Sequence, residues 1–491
     1  MQGETLKDQH VVILGLARQG VALARYLVGT GAEVTISDLQ DQHALADRME
    51  QLSDLSIRYA LGSHPIRLLD DADLLCLSGG VPVDIPIVEK ARERGVALSN
   101  DAQIFLERCP APIIGITGSA GKTTTTALVG EMCRAAGMRT WVGGNIGNPL
   151  IADVEAIERQ DCVVMELSSF QLELMTISPH IAAVLNITPN HLDRHKTMEA
   201  YIAAKRNIVA HQAAGDIALL GYDDANARAL ALETPAQLFF FSGGAEVEAG
   251  AFKTNGELTL RMKGRRGQPG EDQEICRVSA VQLLGRHNLL NVLAASTLAS
   301  LAGVPLEVIR EVATTFTGVE HRLELVMEQP SPNGSGRVRW YDDSIATAPE
   351  RALAAMRSFE EPIVLFAGGR DKDLPWGTFA HETVRRVRQL IAFGEAGPMI
   401  AETVRNTWQA AETTSHQGTA AVSGSQGRAR RLAGITCVDS LEEAVEVAAR
   451  LVEPGDVVLF SPGGTSFDAF EDFVERGERF KELVRKLYGE E

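Results

Sequence analysis

Short apolar runs alternate along this chain with longer stretches in which apolar residues recur at helical spacing. In the middle of the chain the apolar runs are 113–117, 162–167, 182–187 and 216–221. A later series comprises 338–343, 363–369, 390–395, 435–439 and 456–462. This alternation of short buried strands with helices predicts α/β domains whose sheets are mostly parallel and are covered by helices.

The first 40 residues carry a shorter version of the same pattern. Residues 10–38 predict a strand, a tight turn, a helix and a second strand, with Gly15 after the first strand and Asp38 at the end of the second. This is half of a dinucleotide-binding fold, which places an acid about 20 residues beyond the first glycine. Ala17 replaces the middle glycine of the GxGxxG fingerprint, so the fingerprint of an NAD site is incomplete.

The length of the chain and the positions of its prolines indicate how it divides into domains. A chain of 491 residues is long enough for about three domains. Pro110 and Pro112 interrupt the pattern before the run at 113–117, and a new unit begins near residue 319. We therefore predict domains at 1–109, 110–318 and 319–491, of which the first and third are Rossmann-like.

Charge and cysteine usage narrow the class of protein. The formal net charge of −18 argues against nucleic acid or an anionic membrane as the main partner. The six cysteines are scattered, without a CxxC pair or metal-ligand spacing. The N-terminus is polar, and no apolar run approaches the roughly 18 residues that a membrane span needs. We expect a cytoplasmic protein that is monomeric and does not insert into membranes.

The most informative segment is the glycine-rich stretch that follows the strand at 113–117. Gly115, Gly118 and Gly121 precede Lys122 and Thr123, which open a helix. Glycines allow the backbone to approach a polyphosphate, the helix N-terminus favours anionic oxygens, and the lysine and threonine suit the phosphates and Mg²⁺. The alternative is a glycine-rich turn with a surface lysine. The order of strand, loop, GKT and helix favours an ATP-binding P-loop domain with a mostly parallel sheet.

The spacing of this loop is unusual, because Ile116 stands where the general phosphate-loop pattern requires glycine. The resulting GxxGxxGKT resembles the loop of the ATP-dependent Mur ligase family and of the related folylpolyglutamate synthases. The segments ELSSFQLE (166–173) and SPGGTSFDAFEDF (461–473) resemble the D-glutamate-adding branch of that family. The resemblance extends over essentially the whole chain, with its motifs in order.

The resemblance implies a three-domain ligase of peptidoglycan precursor synthesis. Such an enzyme uses ATP and Mg²⁺ to join D-glutamate to UDP-N-acetylmuramoyl-L-alanine through an acyl phosphate. The sequence does not distinguish D-glutamate from L-glutamate. The alternatives are another Mur ligase, a folylpolyglutamate synthase-like ligase, a non-catalytic nucleotide-binding regulator, and a nicotinamide oxidoreductase, which would have no need of GKT.

Four residues are candidates for the catalytic centre: Lys122, Glu166, His191 and Lys205. Glu166 ends an apolar strand, where its carboxylate suits Mg²⁺ directly or through water; the alternative is an ordinary residue at a strand end. His191 follows another strand, and the alternative there is a structural or solvated histidine. Lys205 lies on an apolar helix face, as a lysine that extends its amine to water also does. The resemblance instead implies a carbamate on Lys205 that joins Thr123, Glu166 and His191 in holding Mg²⁺.

The predicted ATP site takes residues from the second and third domains. Asn288 and Asn291 are neighbours on one helical face and resemble an adenine-contacting pair; the alternative is helix capping. Arg322 and Asp343 resemble residues that contact phosphates and ribose; the alternative is a surface salt bridge. The complete predicted set is Gly115, Thr117, Gly118, Ser119, Ala120, Gly121, Lys122, Thr123, Thr124, Asn288, Asn291, Arg322 and Asp343.

The resemblance also implies sites for the two substrates that are joined. The UDP-substrate site comprises Gly15, Leu16, Gly20, Asp38, Ser78, Gly79, Asn145 and Ser168. The glutamate site comprises Thr347, Lys372, Ser466 and Phe473. Four positions depart from the family pattern, namely Gln40, Ala120, Asn190 and Ile345. Residues 411–432 form an insertion rich in Ser, Gly and Ala.

Overall fold

The structure is a computed structural model, and it describes residues 6–263, 269–283, 285–330, 336–372, 374–416 and 432–489. Residues 417–431 of the predicted insertion lie outside this part of the chain. Two compact units are present, the first extending to Gln282 and including Arg286–Phe316, and the second beginning at Thr317 and including 283–285. The domain boundaries at 109/110 and 318/319 stay predictions.

The first sheet is built from the N-terminal strands. They are β1 (His10–Leu14), β2 (Glu33–Asp38), β3 (Ile57–Leu61), β4 (Leu74–Leu77) and β5 (Ala97–Ser99). The helices of this region are α1 (Arg18–Gly29), α2 (Ala46–Glu50), α3 (Pro86–Arg94) and α4 (Asp101–Arg108). All strand pairs are parallel, in the order β3-β2-β1-β4-β5. The chain reverses its direction of sheet building between β1 and β4, which is where ligands bind in such sheets.

The second sheet of the same unit has nine strands within the described residues. They are β6 (Ile113–Thr117), β7 (Thr140–Gly144), β8 (Cys162–Glu166), β9 (Ile181–Val184), β10 (Ile217–Gly221), β11 (Gln237–Ser242), β12 (Gly250–Thr254), β13 (Glu257–Lys263) and β14 (Pro269–Arg277). Its helices are α5 (Lys122–Ala135), α6 (Ser169–Leu172), α7 (Leu192–His195), α8 (Met198–Ala210), α9 (Ala225–Ala229), α10 (Arg286–Leu301) and α11 (Leu306–Thr315). The order is β14-β13-β12-β11-β10-β9-β6-β8-β7, and the pairs β12-β13 and β13-β14 are antiparallel.

The second unit contains a six-stranded sheet within the part of the chain that is described. Its strands are β15 (Glu324–Pro330), β16 (Arg337–Asp342), β17 (Ile363–Gly368), β18 (Val387–Phe393), β19 (Gly434–Val438) and β20 (Val457–Gly463). Its helices are α12 (Pro349–Met356), α13 (Gly377–Arg386), α14 (Gly397–His416), α15 (Leu441–Leu451) and α16 (Phe473–Leu487). The order is β15-β16-β20-β17-β18-β19, with β15 antiparallel to β16.

Local sequence accounts for many of these elements. Every residue of β6, β8 and β9 is buried, because helices cover both faces of a parallel sheet and its strands become continuously apolar. Asn100 begins α4 by accepting a hydrogen bond from a backbone N–H of the first turn, and Asp472 does the same for α16. The predicted α/β class with mostly parallel sheets is therefore confirmed, whereas β7, the extension β11–β14 and the edge strand β15 were not predicted.

The parallel strands bring the candidate residues to the carboxyl edges of the three sheets. In the second sheet, β6 lies between β8 and β9. The phosphate loop after β6 therefore emerges beside Glu166 at the end of β8 and beside the loop that follows β9. In the third sheet, the loops after β16, β17 and β20 emerge side by side because these strands are neighbours.

Candidate active site

The phosphate loop makes a tight turn between β6 and α5. Gly121 precedes the first residue of α5 with φ of +84°, a left-handed conformation that favours glycine. A side chain at this position would also collide with Asn291, since a Cβ on Gly121 would lie 2.3 Å from the Asn291 Oδ1 atom. Glycine is required here by both the backbone conformation and the neighbour.

Two polar residues outside the loop hold its backbone. The Asn186 side chain accepts a hydrogen bond from the Ala120 N–H at 2.9 Å and donates one to the Ala120 carbonyl at 3.1 Å. The Ser119 hydroxyl donates to the Thr188 carbonyl at 2.9 Å and lies 3.0 Å from the Tyr201 hydroxyl. The loop is thus held in shape from the segment after β9 and from α8.

Glu166 is the centre of a buried polar group beside this loop. Its side chain is 1% exposed. The Thr123 hydroxyl donates to one carboxylate oxygen at 2.9 Å, and the Asn145 amide donates to the other at 2.8 Å. Asn145, predicted for the UDP substrate, is therefore brought to the phosphate loop, and Glu166 is more than an ordinary strand-end residue.

Lys205 is buried rather than extended to water, with 1% of its surface exposed. Its ammonium group donates to the Thr117 hydroxyl at 3.1 Å and to the Gly118 carbonyl at 3.0 Å, and Lys122 donates to that same carbonyl at 3.0 Å. Burial lowers the pKa of Lys205 well below its usual value, and the charge of Lys122 lowers it further, while Glu166 opposes the shift. The alternative of a lysine extended to solvent is wrong.

His191 lies on the exposed loop before α7, in a left-handed conformation with φ of +53°. Its ring packs edge-on against Phe170, with 5.2 Å between the ring centroids. Ser168 begins α6 in a reciprocal capping arrangement with Gln171. The segment SSFQLE thus forms a short capped helix, and its aromatic side chain contacts the candidate histidine.

The asparagine pair of α10 is buried. The Asn291 amide donates to the Asn288 side-chain oxygen at 2.8 Å. The other end of Asn291 faces Gly121, as described above. The pair therefore packs against the start of α5, as a contact with bound nucleotide requires. The remaining loop residues Gly115, Thr124 and Thr117 lie on β6 and in the first turn of α5.

The predicted UDP-substrate residues of the first sheet gather at the ends of β1, β2 and β4. The Asp38 carboxylate accepts the Leu16 N–H at 2.7 Å and the Gln40 N–H at 2.9 Å. The Ser78 hydroxyl donates to the Gly15 carbonyl at 2.8 Å. Gly20 lies in α1, and Gly79 lies in the turn after Ser78. Asp38 thus shapes the turn with both of its oxygens.

In the second unit, Arg322 and Asp343 do not form a surface salt bridge. Asp343 is buried, and its oxygens accept the Ser461 hydroxyl at 2.7 Å and the Leu323 N–H at 3.3 Å. Burial raises the pKa of Asp343 to about 7. The Nη1 atom of Arg322 is buried and has no hydrogen-bond partner among the described residues.

The predicted glutamate residues lie on neighbouring loops of the third sheet. Thr347 follows β16, Lys372 follows β17, Ser466 follows β20, and Phe473 begins α16. Partial burial lowers the pKa of Lys372, and the charges of Arg351 and Arg476 act in the same direction. A group of cations at one sheet edge suits a ligand that carries carboxylates.

Arg476 was not predicted, although it connects two of these loops. It is fully buried, and its Nη2 atom donates to the Ser344 carbonyl at 3.0 Å and to the Gly464 carbonyl at 3.1 Å. Burial lowers its pKa to about 10. Arg476 is one of three arginines in an amphipathic helix, and nothing in the sequence marks it as the buried one. Tyr201 was also missed, although it shares a helical face with Lys205 four residues later.

Three family models match consecutive parts of the chain. They are described as Mur ligase MurD-like, N-terminal domain (residues 9–100), Mur ligase middle domain (116–299), and Mur ligase, glutamate ligase domain (321–464). A protein of Symbiobacterium thermophilum named UDP-N-acetylmuramoylalanine–D-glutamate ligase is 43% identical over 99% of this chain and 100% of its own length. The chain belongs to this branch of the Mur ligase family. Similarly named Mur ligases of Acetivibrio thermocellus and Clostridium botulinum are 40% and 36% identical over 98% of this chain, and over 97% and 98% of their own lengths.

Solved Mur ligase structures share the fold. The UDP-N-acetylmuramate–alanine ligase of Thermotoga maritima is 20% identical with a TM-score of 0.54, and the comparison covers 97% of this chain and 99% of that one. An Escherichia coli FolC structure is 15% identical with a TM-score of 0.51, covering 79% of this chain and 92% of that one. These likenesses support the three-domain α/β architecture predicted from sequence. No helix in the described ranges is long and apolar enough to span a membrane.

The buried Asp343 generates a prediction for this Mur ligase. Because its folded pKa of about 7 lies above the ordinary aspartate value of 3.8, the folded state binds the proton more tightly. Its contribution to stability is therefore complete below about pH 4 and is lost as the pH rises through about 7. We expect Asp343→Asn to flatten the pH dependence of unfolding between about pH 4 and 7, measured by denaturant titration. Asp371→Asn, at a half-buried residue of the same unit, is the control, and equal slopes for Asp343→Asn and the wild type would contradict the assignment.

Proposed function

We propose that this chain joins D-glutamate to UDP-N-acetylmuramoyl-L-alanine with conversion of ATP to ADP and phosphate, in peptidoglycan precursor synthesis. The observation that carries this proposal is the 43% identity, over essentially both full lengths, to a ligase with that name. The structure adds a phosphate loop whose threonine donates a hydrogen bond to the buried Glu166 carboxylate and whose lysine donates to the Gly118 carbonyl. A cytoplasmic location and a monomeric state stay predictions.

The chemistry explains why such a ligase needs a phosphate site. A carboxylate does not react with an amine directly, because its carbon is a poor electrophile and oxide is a poor leaving group. One oxygen of the alanine carboxylate attacks the γ-phosphorus of ATP, and the bond to ADP breaks. The glutamate amine then attacks the acyl carbon, phosphate leaves with that oxygen, and the amine loses a proton. Transfer between anions depends mainly on positioning and on neutralisation of charge.

The residues around Glu166 fit a hard divalent cation. Mg²⁺ prefers oxygen ligands in a small site, and the Thr123 hydroxyl and a buried Glu166 carboxylate oxygen lie 2.9 Å apart. We assign Thr123, Glu166 and His191 to the Mg²⁺ site. Bound there, Mg²⁺ would neutralise charge on the phosphates of ATP. Asn145 orients the Glu166 carboxylate from its other side.

The remaining site residues keep the roles predicted for them from the sequence. Lys122 and the backbone N–H groups of the phosphate loop hold the phosphates, and Asn288 and Asn291 contact the nucleotide. Ser168 and the residues around Gly15 and Ser78 hold the UDP substrate. In the second unit, Lys372 and Ser466 orient glutamate, with Thr347 and Phe473. Arg322 and Asp343 keep their predicted role as nucleotide-binding residues.

Lys205 suits carbamate formation. Its hydrogen bonds go to a hydroxyl and a carbonyl rather than to a carboxylate, and burial lowers its pKa, which makes loss of its proton easier. A neutral amine attacks CO₂ and releases a proton, which forms an anionic carbamate. That change would replace a cation beside the metal site with an oxygen ligand.

The substrate assignment is tested by product formation. We expect ADP release to require UDP-N-acetylmuramoyl-L-alanine and D-glutamate together, and L-glutamate to give little product. Lys122→Ala should abolish ADP release, whereas Lys372→Ala should raise the KM for glutamate by about tenfold or more, as loss of a charged contact does. No ADP release with either glutamate enantiomer would contradict the function. Product with another amino acid would indicate a different ligase of this family.

The carbamate is tested without measuring activity. With ¹³C-labelled bicarbonate, we expect wild-type protein to show a carbamate carbon signal by NMR that Lys205→Gln lacks. Lys90→Gln is the matched control, because the half-exposed Lys90 forms an ion pair with Glu93 at 2.6 Å. A signal that survives Lys205→Gln, or no signal in the wild type, would contradict the assignment.

A further inference from the structure

Arg194 connects two loops that the predicted chemistry uses separately. One is the Gly80 loop (residues 78–84), which follows β4 and includes Ser78 and Gly79 of the predicted UDP-substrate site. The other is the His191 loop (residues 186–196), which follows β9. The Arg194 Nη1 atom donates a hydrogen bond to the Gly80 carbonyl at 3.1 Å, across 114 residues of sequence.

The same guanidinium lies over the ring of Phe170, with 4.7 Å from Cζ to the ring centroid. Phe170 in turn contacts His191 edge-on at 5.2 Å and stacks on His195 at 5.3 Å. Arginine therefore contacts the aromatic group that supports the candidate histidine. Contacts of a cation with an aromatic face are favourable and directional.

The environment of Arg194 favours a role in positioning. Among the described residues Arg194 forms no ion pair within 4.0 Å, although Asp84 and Glu173 line the same small cleft of about 180 Å³. Its directional contacts are the hydrogen bond to the Gly80 carbonyl and the cation–π contact with the Phe170 ring. The His191 loop also holds two residues with positive φ, His191 and Lys196, and such backbone persists only when surrounding contacts fix it.

We propose that Arg194 is a positioning residue that fixes the Gly80 loop to the His191 loop. The loop that holds part of the proposed UDP-substrate site is thereby kept in place relative to His191, which is assigned above to the Mg²⁺ site. This inference rests on the proposed function. The Gly80 loop and the His191 loop should therefore lose order together when the Arg194 side chain is removed.

The test uses Arg194→Ala in the full-length protein, with Arg92→Ala as the matched control. Arg92 donates from the same kind of group to the Val83 carbonyl of the same loop at 3.0 Å, and no described aromatic ring lies under it. In ligand-free protein we expect Arg194→Ala to speed amide hydrogen exchange in both loops. Arg92→Ala should affect only residues near Val83.

Kinetics provide the second readout. Arg194→Ala should raise the KM for UDP-N-acetylmuramoyl-L-alanine and lower kcat, each by about tenfold as expected for a charged hydrogen bond. The KM for ATP should change less than about twofold, and Arg194→Lys should recover part of the loss. Phe170→Leu should speed exchange in the His191 loop, and combining it with Arg194→Ala should add little.

Faster exchange in only one loop, or wild-type kinetics in Arg194→Ala, would overturn the proposal. If Arg194→Ala does not fold, Arg194→Lys and Phe170→Leu decide the question by the same exchange measurement. Exchange does not depend on turnover. A wild-type protein without ligase activity would therefore contradict the proposed function and leave the coupling of the loops to be judged by exchange.

Discussion

The organisation of the site depends on one electrostatic constraint, the burial of opposite charges at the carboxyl edge of the second sheet. Glu166 and Lys205 are each 1% exposed, and Lys122 shares the Gly118 carbonyl with Lys205. Buried charge is costly unless it is paired or bound to an ion. Hydrogen bonds from Thr123 and Asn145 satisfy the Glu166 carboxylate, whereas burial lowers the pKa of Lys205. The proposed polyphosphate and divalent cation would add both negative and positive charge to this buried group.

This constraint explains why the surrounding loops are held so closely. A phosphate loop binds through backbone N–H groups, so its shape has to exist before the ligand arrives. Asn186 and Thr188, in the segment after β9, fix that shape through hydrogen bonds with Ala120 and Ser119, and Asn291 packs against Gly121. In the second unit, the buried Arg476 performs a comparable task for the loops after β16 and β20. The loops thus extend from the edges of the sheets, and individual polar side chains fix the conformation of each loop.

The sequence predicted the strands and the phosphate loop well, because apolar runs and glycine spacing are local signals. It predicted less about which side chains meet. Asn145 was assigned to the UDP substrate, yet it binds Glu166 because β7 and β8 are neighbours in the sheet. Arg194 and Arg476 depend on contacts across more than 100 residues, for which neither composition nor periodicity gives a signal. The antiparallel edge strand β15 was missed because it has no buried apolar run; within it only Met327 is buried.

The central claim is that the site activates a carboxylate by moving phosphate onto it. It is tested most directly with UDP-N-acetylmuramoyl-L-alanine labelled with ¹⁸O in the alanine carboxylate. If an acyl phosphate forms and the glutamate amine displaces phosphate, each amide bond made should transfer one labelled oxygen to inorganic phosphate. Mass spectrometry of the released phosphate measures this transfer. Phosphate that contains no label, despite formation of the amide, would contradict the account.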